Sequence, residues 1–207
     1  ALHLKQQHLS QWALGSCIAT VALNGSGRWD GSQLNGSWSY VPHGGEADLI
    51  ITQARDQEGS TVLLLVPQSE FIWSAQHGLD QSRKHAHLKA SDLRIDEAAL
   101  IAHGDAAESL ITFTHQRSLV ALAHEQIGIA QACTLASVEY AKTRKQFGEY
   151  IGRFQAVKHL IADMYTELEA ARSAAIYATW CADHDASHLP FASLTAAQLA
   201  GAAGFHC

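Results

Sequence analysis

Hydrophobic residues change their spacing twice along the chain, and the two changes divide it into segments of different texture. Over residues 1–13, Leu2, Leu9 and Trp12 recur near helical spacing among Gln and His, and Gly15 follows where a helix stops. From Cys17 the period shortens. Ile18, Thr20, Val21 and Leu23 form a β-prone run, after which Gly25, Gly27, Gly31 and the Asn35-Gly36 pair punctuate the chain as turns do. Segments 37–41, 48–54, 60–66 and 84–95 then read as strands. The second and third are continuously apolar, which predicts cover on both faces, while Trp38 and Tyr40 alternate with Ser and are expected to share one face. Together these strands predict a small antiparallel barrel or sandwich.

Near Gly104 the period passes from 2 to 3.6. Val120, Ala123, Ile127, Ala130 and Thr134 recur at steps of three and four, with Leu119, Leu122 and Ile129 widening the stripe. A helix over residues 106–142 would span about 54 Å at 1.5 Å per residue. Gln146-Phe147-Gly148 breaks it. In the next segment Phe154, Val157, Ile161, Met164, Leu168, Ala171, Ala175 and Ala178 make a seam suited to antiparallel packing, with small residues permitting close approach. A third helix starts near Phe191 and reaches Cys207 without a cap, so the expected bundle is incomplete. The fold class implied is α+β, a β-unit followed by an antiparallel helical bundle.

Composition narrows the chemistry. The 207 residues are 47% hydrophobic and 16% charged with a formal net charge of −6, and the basic residues are scattered, so no nucleic acid partner is expected. No apolar run approaches a bilayer span and the start lacks a signal-peptide pattern, which predicts a cytoplasmic protein without membrane insertion. Cys17, Cys133, Cys181 and Cys207 contain no Cys-x-x-Cys pair. Neither His3 with His8 nor His85 with His87 has a third ligand at metal-site spacing, so no metal is expected.

A longer pattern runs from residue 140 to 172. Tyr140-Ala141-Lys142-Thr143-Arg144-Lys145-Gln146-Phe147-Gly148, Ile151, Phe154-Gln155, His159, Ala162-Asp163-Met164 and Glu169-Ala170-Ala171-Arg172 together resemble the C-terminal domain of acyl-CoA dehydrogenases. Leu34-Asn35-Gly36 through Tyr40-Val41-Pro42-His43-Gly44-Gly45 and Ala47-Asp48 resembles that family's middle β-domain, and Gln6 to Leu23 resembles its entry from a first helical domain. The resemblance implies three segments: 1–14 ending the N-terminal helical domain, 15–103 the middle β-domain and 104–207 an incomplete C-terminal bundle.

It also implies an activity: FAD-dependent α,β-dehydrogenation of an acyl-CoA thioester to the 2,3-enoyl-CoA, electrons passing to an electron-transfer flavoprotein, in a homo- or hetero-oligomer. By that resemblance Arg144 reaches FAD phosphates, Phe147 packs on the adenosine, Gln155 hydrogen-bonds the same end and Tyr40 stands beside the isoalloxazine ring. A guanidinium fork matches phosphate oxygens, which suits Arg144 to that task.

Three departures accompany the likeness. Pro42 stands where family members often carry a Thr whose hydroxyl meets the flavin, and proline has neither hydroxyl nor N–H. The usual Thr-Glu-Pro loop is replaced by Val21-Ala22-Leu23-Asn24-Gly25-Ser26-Gly27, in which Asn24 is the candidate polar contact. Where a minority of the family places its base on the first long helix, this chain has Gln116, and an amide cannot accept the proton. No catalytic base is identified; Arg117 beside it is the candidate contact to CoA. The resemblance therefore leaves two further possibilities, a non-catalytic partner subunit of a heteromeric dehydrogenase and a flavin oxidase or monooxygenase on the same scaffold.

Overall fold

The computed structural model describes the backbone of residues 2–207 and the side chains of residues 8–207. The expectations for Leu2 and His3 concern side chains outside the described residues. The chain forms two compact units, residues 1–111 and 112–207.

The first unit opens with α1 (Leu2–Ala13), which ends before Gly15 in a left-handed conformation. Seven strands follow: β1 (Ala19–Trp29), β2 (Gln33–Pro42), β3 (Leu49–Arg55), β4 (Thr61–Pro67), β5 (Ile72–Gln76), β6 (His85–Arg94) and β7 (Leu100–His103). They make one sheet in the order β5-β6-β2-β1-β3-β4-β7, antiparallel except for the parallel pair β1 and β3, and its order has two ends. The core of this unit is built from large side chains, Trp38, Leu34, Ile50, Leu64 and Leu88 among them.

Several strand features differ from the sequence expectation. Gly25, Gly27 and Gly36 lie inside β1 and β2, and only Gly31 turns the chain between them. At Gly25 and Gly27 the cause is Trp38: an added Cβ would lie 2.3 Å from its Cδ1 or 2.5 Å from its Cζ2, so these two clear space for the indole, while a Cβ at Gly36 would meet the Gly27 backbone at 2.6 Å. The Trp38 Nε1–H donates to the Gln53 carbonyl at 3.0 Å, satisfying the one polar atom of a fully buried ring. Tyr40 does not share the face of Trp38. The register of β2 against β6 shifts between Trp38 and Val41, and Tyr40 takes φ +55°, so the parity flips and Val41 enters the core while Tyr40 is 63% exposed. Only β4 is buried along both faces; β3 alternates, with Ile50, Thr52 and Ala54 buried. β5 and β7 escape the hydrophobic pattern because they are the short strands at the two ends of the sheet, and no β5 residue is buried.

The helix α2 (Asp105–Thr143) begins after Gly104, and its later turns belong to the second unit. There β8 (Lys145–Gln146) and β9 (Glu149–Tyr150) form a hairpin, followed by α3 (Gln155–His184) and α4 (Leu189–His206). Polar bonds from positions seven residues apart on α2 fix it antiparallel to α3. Arg117 donates to the Ala182 carbonyl at 2.6 Å, His124 meets the Thr179 hydroxyl at 2.8 Å, and Arg172 donates to Gln131 Oε1 at 3.2 Å. The Thr179 hydroxyl gives its own hydrogen to the Ala175 carbonyl at 2.9 Å, so His124 Nε2 is the donor of that pair.

The bundle core is mostly alanine: Ala123, Ala130, Ala171, Ala175, Ala178 and Ala200, with Val120, Ile127, Leu168 and Leu189. The seam on α3 is buried only from Leu168 onward. Phe154, Val157, Ile161 and Met164 are not, since α4 ends against Met164 and Glu167, where Cys207 Sγ and His206 Nδ1 reach them. On α2, Leu122 and Ile129 are exposed rather than part of the stripe.

Candidate functional site

The hairpin between α2 and α3 and its flanks carry Arg144, Phe147 and Gln155, three of the five residues expected to bind the cofactor. Lys145 pairs with Tyr150 and Gln146 with Glu149, leaving Phe147 and Gly148 as the two central residues with φ +54° and +80°. Positive φ at both positions is the type I′ turn that matches strand twist. Glycine takes it freely; Phe147 does so under strain, which costs of order 1–3 kcal/mol. Phe147 is also 93% exposed, its ring meeting Phe154 edge to face at 6.2 Å.

Arg144, at the hairpin base, is exposed, its backbone N–H bound to the Tyr140 carbonyl and its carbonyl to the Ile151 N–H, each at 2.9 Å. The main chain is thus anchored while the guanidinium reaches solvent. Lys145 lies over the Tyr150 ring at 4.6 Å, and Gln155, the first residue of α3, is exposed. The hairpin so gathers Arg144, Phe147 and the start of α3 at one end of the bundle.

Arg117 has a structural occupation. Besides its bond to Ala182, its guanidinium stacks on Phe113 at 3.7 Å, so it closes the C-terminal end of α3, where cations are favoured. Gln116 is half-buried on α2.

The sheet unit presents Tyr40 and Asn24 on adjacent strands. Asn24 is exposed, one residue before the Gly25↔Trp38 pair. The Tyr40 ring meets His85 edge to face at 6.3 Å, and its backbone N–H donates to Gln76 Oε1. The Pro42 carbonyl accepts the Thr20 hydroxyl at 2.7 Å. Beside this row opens a cavity of about 500 Å³, lined by His43, Gly45, Trp73, Gln76, Lys84 and His85 among others. Lys84 and His43 both bind Glu46, holding its carboxyl below the usual range. Sequence reasoning missed Gln76, which sits on the unrecognised strand β5; no pattern in its neighbourhood distinguished it.

Comparison with known proteins fits this geometry. The profile for "Acyl-CoA dehydrogenase, C-terminal domain" matches residues 107–205. "Probable acyl-CoA dehydrogenase YngJ" of Bacillus subtilis is 27% identical over 222 residues, covering 95% of this chain and 58% of the relative. Acyl-CoA dehydrogenase IpdE2 of Mycobacterium tuberculosis is 30% identical over 167 residues, covering 81% of this chain and 42% of the relative. The chain belongs to the acyl-CoA dehydrogenase family.

In fold, this family member superposes on butyryl-CoA dehydrogenase of Megasphaera elsdenii with a TM-score of 0.86 at 21% identity, over 98% of this chain and 59% of that one. The chain thus spans less than two thirds of the length of these relatives.

Acyl-CoA dehydrogenases imply FAD, and the two regions fit it unequally. The hairpin offers an exposed guanidinium beside an exposed ring held in a strained backbone, a donor set suited to a phosphate-bearing aromatic group. In the sheet unit, the Tyr40 N–H is already bound and Pro42 has no donor, so these positions present an aromatic face without a backbone or threonine donor. Among the described residues no helix is long and apolar enough to cross a membrane, and no three His, Cys, Asp or Glu are grouped to hold a metal.

Proposed function

We propose that this chain is part of an FAD-dependent acyl-CoA dehydrogenase subunit that converts an acyl-CoA thioester to the 2,3-enoyl-CoA in the cytoplasm. Its electron acceptor is an electron-transfer flavoprotein, and the working form is a homo- or hetero-oligomer. The observation that carries the reading is the hairpin, because an exposed phenylalanine at positive φ is unfavourable both for solubility and for the backbone unless something covers it.

FAD, when bound, would supply at N5 the acceptor for the hydride leaving Cβ. The chain's own residues bind and orient. Arg144 forks onto phosphate oxygens, Phe147 covers the adenosine and Gln155 hydrogen-bonds the same end. Tyr40 lays its ring beside the isoalloxazine, and Asn24 supplies a polar contact on the neighbouring strand. Arg117 keeps Phe113 and Ala182 as partners while spare N–H groups of its fork face the CoA moiety. Gln116 cannot take the α-proton, so that proton goes to a carboxylate elsewhere in the assembly.

Purified protein is expected to show flavin absorbance, or to gain a perturbed flavin spectrum when FAD is added. A colourless preparation whose added FAD stays spectrally free contradicts the reading.

A second reading, a non-catalytic partner subunit, is favoured by the lack of donors at residues 40 and 42 together with Gln116. Dehydrogenase activity that appears only on co-expression with a second dehydrogenase-like chain, and survives substitution of Gln116, supports it. Activity of this chain by itself excludes it.

A further inference from the structure

The bulge in β2 leaves one amide without a place in the ladder. Trp38 pairs with Leu88 and Val41 with Ala86, so Tyr40 is the extra residue, in the left-handed region at φ +55°. A non-glycine residue in this conformation persists only where its surroundings hold it. Two groups do so. From β5, Gln76 reaches past β6 and accepts the Tyr40 N–H with Oε1. His85, opposite both Gln76 and Pro42 in the pairing, sets its ring edge-on to the tyrosine at 6.3 Å. Both line the cavity of about 500 Å³ beside the strand, and Tyr40 remains 63% exposed.

We propose that Gln76 is a positioning residue: by capping the orphan amide of the bulge, with His85 bracing the ring, it holds the Tyr40 side chain outward as a rigid face for an aromatic ligand. Without that cap the bulge can relax, and Tyr40 loses the fixed orientation that makes its ring a prepaid stacking surface. The ligand class is a planar heteroaromatic ring, and its identity as the isoalloxazine of FAD rests on the function proposed above.

The test compares Gln76→Met, which removes the acceptor at similar volume, with Gln76→Glu, whose carboxylate can accept the same N–H. Amide hydrogen exchange at Tyr40 is expected to quicken about ten-fold in Gln76→Met and to stay near wild type in Gln76→Glu. FAD titration, followed by the flavin band shift, is expected to weaken about five- to ten-fold in Gln76→Met, with rescue in Gln76→Glu. In a Tyr40→Ala background, Gln76→Met is expected to add nothing. Unchanged exchange at Tyr40 in Gln76→Met overturns the cap itself. Faster exchange with unchanged FAD affinity, or an equal loss of affinity in the Tyr40→Ala background, overturns the positioning role. If wild type shows no band shift at any FAD concentration, the flavin assignment and the ligand role fall together, while the exchange result still decides whether Gln76 caps the bulge.

Discussion

The sheet unit and the helical unit solve the same burial problem with opposite materials. In the sheet, one fully buried tryptophan fills a space that glycines on the neighbouring strand keep open, and leucine and isoleucine complete the core. In the bundle, alanines along α3 and α4 bring those two helix backbones together, and α2 adds Val120, Ala123, Ile127 and Ala130 to the same core. The first core is sensitive to loss of volume and the second to its gain. The residues proposed to meet the cofactor lie outside both cores, Arg144, Phe147 and Gln155 at the hairpin and its flank and Tyr40 and Asn24 on adjacent strands of the sheet.

The largest effect is expected from emptying the sheet core. Trp38→Ala removes a fully buried ring and is expected to destabilise the unit by about 3–5 kcal/mol in chemical denaturation. A loss below about 1 kcal/mol would mean that the glycine row collapses to fill the gap. Ala175→Leu tests the opposite vulnerability, since overpacking a fully buried alanine between helices should cost about 1–3 kcal/mol. A neutral result would show that the helices separate freely.

Smaller effects sharpen the line between stability and function. Phe147→Asn places a residue tolerant of positive φ at the hairpin tip, and is expected to leave stability unchanged or raise it by up to about 1 kcal/mol while weakening FAD binding. Thermal denaturation and FAD titration on the same preparation check both halves. The weakest effect concerns the turn between α3 and α4. Hydrogen bonds from Ser187 first, and then from His188, hold the Asp185 carboxyl at about 2, below its ordinary value of 3.8. A depressed carboxylate stabilises the fold above the unfolded value and loses that contribution as pH falls through the folded one, so the window lies between about pH 4 and pH 2. Ser187→Ala should therefore shift acid unfolding, followed by far-UV circular dichroism, to slightly higher pH.

Long periodic segments were legible in the sequence. The Val120 to Thr134 stripe and the Leu168 to Ala178 seam are buried as their spacing required, and the chain breaks at Phe147-Gly148. What failed was local geometry that a period cannot encode. Gly25 and Gly27 of β1 resemble turns in sequence because their reason, the indole of Trp38, lies on the neighbouring strand. The alternation places Tyr40 on the face of Trp38, because a one-residue bulge reverses parity without leaving a mark in the sequence. Phe154 to Met164 continue the apolar seam of α3, yet the length of covering helix is not written in the segment it covers. Family resemblance pointed to Arg144 and Phe147; their exposure, and the strain at Phe147, are what the structure adds.

In the proposed function the Arg144 to Phe147 hairpin grips FAD through charge and an exposed ring. Isothermal titration of FAD into wild-type protein and into Arg144→Ala, with denaturation run in parallel, tests it most directly. The prediction is binding by wild type, a loss of about ten-fold or more in Arg144→Ala, and stability within about 0.5 kcal/mol because the side chain is exposed. Equal FAD affinity in the two proteins, at equal stability, would contradict it.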